Sequence, residues 1–106
     1  MDPSLYLVET FAPHLHTIFE AEVEPGTSLS LELIQVERGP AHPRALMFWL
    51  LFRGPGAPLL PQSIYHLQHA ALGELDLFLV PVGRDDQGIS YQAVFNRVIQ
   101  DAPPRP

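Results

Sequence analysis

Apolar and polar side chains alternate with a period of two along this chain, in short runs that proline or glycine cuts off. A strand turns successive side chains to opposite faces, so such runs read as strands with one buried face. Thr17–Glu24 sets Phe19, Ala21 and Val23 against Glu20, Glu22 and Glu24, and Pro25-Gly26-Thr27 then makes a turn. Ser28–Glu37 alternates again with Leu29, Leu31 and Leu33 inward, which predicts a hairpin with one wet face. Arg38–Arg44, carrying Gly39, Pro40 and Pro43, reads as a loop. Four more strands follow: Ala45–Arg53, Gln62–His69, Gly73–Val82 and Ile89–Val98. Tyr65 and Leu67, then Leu75, Leu77 and Leu79, then Tyr91, Ala93 and Phe95 are expected inward. Gly83–Gly88 is expected to be a polar hairpin loop.

Six short strands without a helical crossover predict a mainly antiparallel all-β domain, either a small six-stranded barrel or a compact sandwich. A short helix is expected before them. Pro3 is tolerated in a first turn, and Leu5, Val8 and Phe11 share one helical face. At 106 residues the chain is read as one domain over 1–100, followed by a disordered Pro-rich tail over 101–106.

Composition removes several functions. The chain has no cysteine, which excludes disulfides, thiolate metal sites and a cysteine nucleophile. Twelve acidic against six basic residues give a net charge of −6, and the basic residues, all arginine, are scattered from Arg38 to Arg105. Nucleic-acid binding needs clustered cations, so no nucleic-acid partner is expected. Met1-Asp2-Pro3-Ser4 lacks the basic opening of a signal peptide. Ala45–Phe52 is too short for a membrane-spanning helix, which takes about 20 residues. A cytoplasmic location without membrane insertion is the default expectation, and association with a surface or extracellular assembly is the alternative.

Ala45–Phe52 departs from the one-wet-face rule. Phe48, Leu50 and Phe52 form one row, and Met47, Trp49 and Leu51 form an equally apolar second row. Phe78 and Val80 add to that second row from Gly73–Val82, and Val94 from the last strand. Soluble monomers rarely expose an apolar patch beyond a few hundred Å². The first expectation is that the Leu5–Leu15 segment covers this face as a packed helix. The alternatives are a second protein chain, with Met47, Trp49, Leu51, Phe78 and Val80 as candidate interface residues, or a ligand.

The candidate chemistry is thin. His14-x-His16 and His66-x-x-His69 invite a zinc reading, but zinc takes three or four converging ligands. Residues three apart on a strand face opposite sides, so His66 and His69 should diverge. Glu20, Glu22 and Glu24 read as the solvated face of an edge strand, and Asp85-Asp86 as a turn. Ser63, His66 and Asp76 could form a nucleophilic trio, yet no Gly-x-Ser-x-Gly elbow accompanies them. No glycine-rich phosphate loop opens a helix. No cofactor, metal or catalytic residue is therefore assigned.

Four blocks carry a resemblance. They are Phe48-Trp49-Leu50-Leu51-Phe52-Arg53-Gly54-Pro55, Leu60-Pro61-Gln62 with Ile64-Tyr65-His66-Leu67, Phe78-Leu79-Val80-Pro81-Val82-Gly83, and Tyr91-Gln92-Ala93-Val94-Phe95-Asn96. In this order they resemble an uncharacterised bacterial family, domain of unknown function 6916. Phe11-Ala12-Pro13-His14 is a weaker echo, and near His16 the family tends to place a glycine. The resemblance implies no catalytic residues. It implies an accessory or assembly role beside phage-tail-collar-like surface or fibre proteins.

The resulting expectation is a non-enzymatic structural or protein-interaction domain that self-associates or binds a protein partner. The alternative is a small β-barrel that binds an apolar ligand between Phe48, Phe52, Tyr65, Leu77 and Phe95.

Overall fold

The computed structural model describes residues 8–39 and 45–98. The expected helix start at residues 2–5, most of the 38–44 loop and the 101–106 tail lie outside the described residues. A single α-helical turn, α1 (Val8–Phe11), runs into a 3-10 turn at Ala12–His14. Six strands follow: β1 (Ile18–Glu24), β2 (Thr27–Arg38), β3 (Ala45–Gly54), β4 (Ser63–His69), β5 (Gly73–Asp85) and β6 (Gly88–Val98).

All six pair antiparallel and close into a barrel in the order β1-β2-β3-β6-β5-β4. The expected all-β antiparallel architecture is therefore present, as a closed ring. β1 pairs with β4 through Glu20–Glu22 and His66–Gln68, and this short ladder completes the ring. β1 is thus not the edge strand that its acidic row suggested; Glu20, Glu22 and Glu24 are exposed on the outside of a paired strand. Two long strands make the closure possible. β2 pairs with β1 over its first half and with β3 over its second, and β5 divides itself likewise between β4 and β6.

The last hairpin is tighter than the polar stretch at 83–88 implied. Gly83, Arg84 and Asp85 continue the ladder opposite Ser90, Ile89 and Gly88, leaving Asp86 and Gln87 as the turn. Polar composition signals solvent rather than loss of pairing, and this end of the hairpin stands in solvent. The Asp85 carboxylate accepts a hydrogen bond from the Gln87 N–H at 2.8 Å, which fixes the turn. Gly88, at φ +132°, is required here because a Cβ would collide with the Gly54 carbonyl oxygen.

The inward rows make the core. Phe19 meets Phe52 edge-on at 5.2 Å, and Leu31, Leu33, Leu50, Leu67, Leu79, Ile89 and Tyr91 are buried around them. The Tyr91 hydroxyl accepts a hydrogen bond from the Leu60 N–H at 3.0 Å, pinning the β3–β4 connection to the core. At one mouth of the barrel Phe48 and Phe95 stack at 4.5 Å, and Phe11 packs on both, at 6.2 and 5.8 Å.

The described part of the N-terminal segment, from Val8 onward, therefore packs at a barrel mouth. This corrects the expectation that it lies over the second apolar face. An open mouth leaves inner aromatic rings bare to water, and α1, with Val8 and Phe11 buried, covers those rings. Arg38 donates to the Glu9 carboxylate at 2.6 Å and ties the turn to the end of β2. The chain enters β1 through His16 in the left-handed region, φ 69°, a conformation that glycine adopts most easily.

Candidate functional site

The second apolar row lies on the outside of the barrel. On β3, Met47 is exposed and Trp49 and Leu51 are half-buried. β6 runs alongside with Val94 directly opposite Trp49 and Gln92 opposite Leu51. Gln92 is also opposite Val80 of β5, so Leu51, Gln92 and Val80 form one row across three strands. Phe78 stands next on the same face of β5 and is paired with Ile64 of β4. Val94 and Phe78 are each 51% exposed and Ile64 is 68% exposed. The five candidate interface residues thus share one outer surface that spans β3, β6, β5 and β4.

Ile64 is a member that the sequence reading did not single out. Its signal was available, because it has the opposite parity to Tyr65 and Leu67 and so had to point outward. Tyr65 is half-buried, with its hydroxyl donating to the Pro61 carbonyl.

The histidines separate as strand parity requires. His66 is outside, with Nδ1 2.8 Å from Asp76 and Nε2 3.1 Å from Glu74. Its hydrogen bond to Asp76 holds its pKa above the ordinary histidine value. His69 points inward and is 8% exposed. Its Nδ1 accepts from the N–H groups of Ala71 and Leu72, at 3.0 and 3.1 Å. The ring proton is then on Nε2, 2.8 Å from the Thr17 hydroxyl, whose own proton goes to the His14 carbonyl. Burial, reinforced by the neighbouring His14 ring, pushes the His69 pKa down. His16 turns instead to Glu32 at 3.1 Å. Among the described residues, no three histidine or carboxylate side chains group to hold a metal ion.

Of the nucleophilic trio, His66 and Asp76 meet, but Ser63 has the parity of Tyr65 and Leu67 and leaves the other face of β4. The five residues of the ligand-barrel reading lie on the core side: Phe48, Phe52 and Leu77 are buried, and Tyr65 and Phe95 pack against them. Phe11 and Phe19 insert their rings among these residues. No described helix is long and apolar enough to cross a membrane. A membrane-spanning barrel presents an apolar belt outside and a polar lumen within, whereas this one carries Glu20, Glu22 and Glu24 outside and phenylalanines within.

No curated protein and no solved structure matches the chain. A family model does, over residues 6–95, which takes in α1 and all but the last residues of β6. Together with the blocks along β3, β4, β5 and β6, that match places the chain in the family described as Domain of unknown function (DUF6916).

Proposed function

We propose that this domain is non-enzymatic and works by protein–protein contact through the outer face of β3, β6, β5 and β4. The observation that carries the reading is the position of the described N-terminal turn, Val8–His14. It packs at the barrel mouth on Phe48 and Phe95, and Phe78, Val94 and Ile64 stay exposed on a shared surface around Trp49. Large apolar side chains grouped on one face of a small domain are the usual mark of a contact surface, and tryptophan is a common anchor in such surfaces. A second copy of the chain is the simplest occupant. An accessory or assembly role in a phage-tail-collar-like surface or fibre system is the setting in which a further protein would take that place.

The test is the oligomeric state across a wide concentration range, by analytical ultracentrifugation of the intact chain and of Val94→Glu. Self-association that strengthens with concentration and is lost in Val94→Glu supports the reading. The wider reading fails if two results coincide: a strict monomer at every concentration, and identical co-purifying proteins from the native host for the intact chain and for Trp49→Glu.

A further inference from the structure

At the far end of β3 from Met47 the barrel wall has a gap. The β2–β3 ladder runs as far as Glu32 opposite Arg53. Continuing it would set Ser30 opposite Pro55, and proline has no N–H to give to a ladder. β2 nevertheless goes on to Thr27, paired only with β1. The parity of that pairing says which groups are left over. Leu33 donates to the Thr17 carbonyl at 3.0 Å, so Leu33, Leu31 and Leu29 point their backbone groups toward β1. Ser30 and Ser28, the intervening residues, point theirs away from β1, into the gap.

The gap is a groove of about 570 Å³ lined by Ser28, Ser30, Glu32, Arg53, Pro55 and Gln87, with Ile18 at its apolar side. Gln87 reaches it because Gly88 lets the β5–β6 turn close over Gly54. Arg53 supplies the charge. Its Nε is buried with no hydrogen-bond partner. Glu32, its cross-strand neighbour, gives its carboxylate to His16 at 3.1 Å instead. A buried guanidinium N–H without an acceptor is costly, and a carboxylate is the acceptor whose geometry the guanidinium fork fits.

We propose that this groove binds an extended peptide segment that carries a carboxylate. The segment adds as a short strand along Ser28–Ser30, and its carboxylate bonds to Arg53. Main-chain hydrogen bonds to an unpaired strand edge are a recurring mode of peptide capture, and here Arg53 sets the preferred side chain. The site is separate from the outer apolar face and does not depend on it.

The experiment is an NMR titration of the ¹⁵N-labelled full chain with a capped hexapeptide, Thr-Val-Thr-Glu-Thr-Val. A second titration uses the same peptide with Gln for Glu, and a third uses sodium acetate. The proposal expects saturable shifts at the Ser28, Ser30 and Gly54 amides and at the Arg53 Nε–H, weakened roughly tenfold by the Glu-to-Gln peptide. Arg53→Gln should abolish the preference between the two peptides. Ser30→Pro should abolish binding, because it removes an edge donor that the β1 ladder does not use. Arg53→Lys, which keeps the charge without the fork, should fall between. The proposal is overturned if the peptide leaves those amides unmoved, if it shifts only the face around Trp49, or if acetate alone reproduces every change. The wild-type titrations decide on their own should a variant fail to fold.

Discussion

Phe48 and Trp49 are neighbours in the chain and sit on opposite faces of β3. Phe48 is buried in a stack with Phe95 and Phe11, whereas Trp49 is only half-covered and faces Val94 on the outer wall. The same division continues down the strand, with Leu50 and Phe52 inside and Leu51 and Arg53 outside. From Phe48 to Phe52 both rows are apolar in composition, so hydrophobicity does not separate them there. What separates them is what each row meets: inner rings pack on one another across the core, as Phe19 does on Phe52 and Phe11 on Phe48 and Phe95, while Trp49 has Val94 beside it on the outer wall. The inner face holds the fold together, and the outer face is surface that the fold leaves available.

That contrast can be tested from its strongest end. Phe52→Ala would leave a cavity where Phe52 meets Phe19, and it should cost about 3–5 kcal/mol in a urea unfolding titration. A loss under about 1 kcal/mol would mean that the barrel interior is less tightly packed than the geometry indicates. Gly88→Ala comes next. It combines a backbone angle that L-residues rarely adopt with a collision at the Gly54 carbonyl, and should cost roughly 1–3 kcal/mol. Its thermal melt should fall accordingly, and an unchanged melt would show that the turn relaxes freely.

The two histidines of β4 give the same contrast in their titration. His69, inside, has a lowered pKa, so the unfolded chain takes up this proton first. The stability it contributes is present above the unfolded value of 6.5 and is lost as the pH falls below that value. His66, outside, has a raised pKa. Its contribution is fully present below 6.5 and fades as the pH rises through its folded value. Ring-proton NMR should therefore find His66 titrating above 6.5 and His69 below it, and the reverse order would undo the tautomer assigned to His69. The smallest effect is expected on the outer wall. Val94→Glu should leave unfolding stability within about 0.5 kcal/mol of the parent, because the side chain is already half in water. A large loss there would mean that the outer row is structural after all.

Much of the barrel is legible in the sequence. The period-two rows assign inner and outer residues on β1, β2, β3, β5 and β6, because strand geometry alone decides parity. The same rule separates His66 from His69 and detaches Ser63 from its supposed trio. Parity also marks Ile64 as outward, opposite to its neighbour Tyr65. Less was legible at the ends of elements. Gly83–Asp85 looked like a loop, since a polar strand end and a polar turn have the same composition.

The two-faced character of each strand, the antiparallel class and the doubled apolar rows on β3 and β5 can be read from the chain alone. These follow from side-chain alternation, a property of neighbouring residues. How the strands close, and what each face then meets, is set by packing between distant parts of the chain. Closure depends on the β1–β4 ladder and on long strands shared between two neighbours, which no local pattern encodes. The same holds for the N-terminal turn, which could have lain on the outer row by its apolar spacing alone. It went to the mouth, where Phe48 and Phe95 come together from strands more than forty residues apart in the chain. Arg53 is the last instance: its position beside Glu32 suggests a ready ion pair, yet the chain's path takes Glu32 to His16 and leaves the guanidinium facing a gap in the wall.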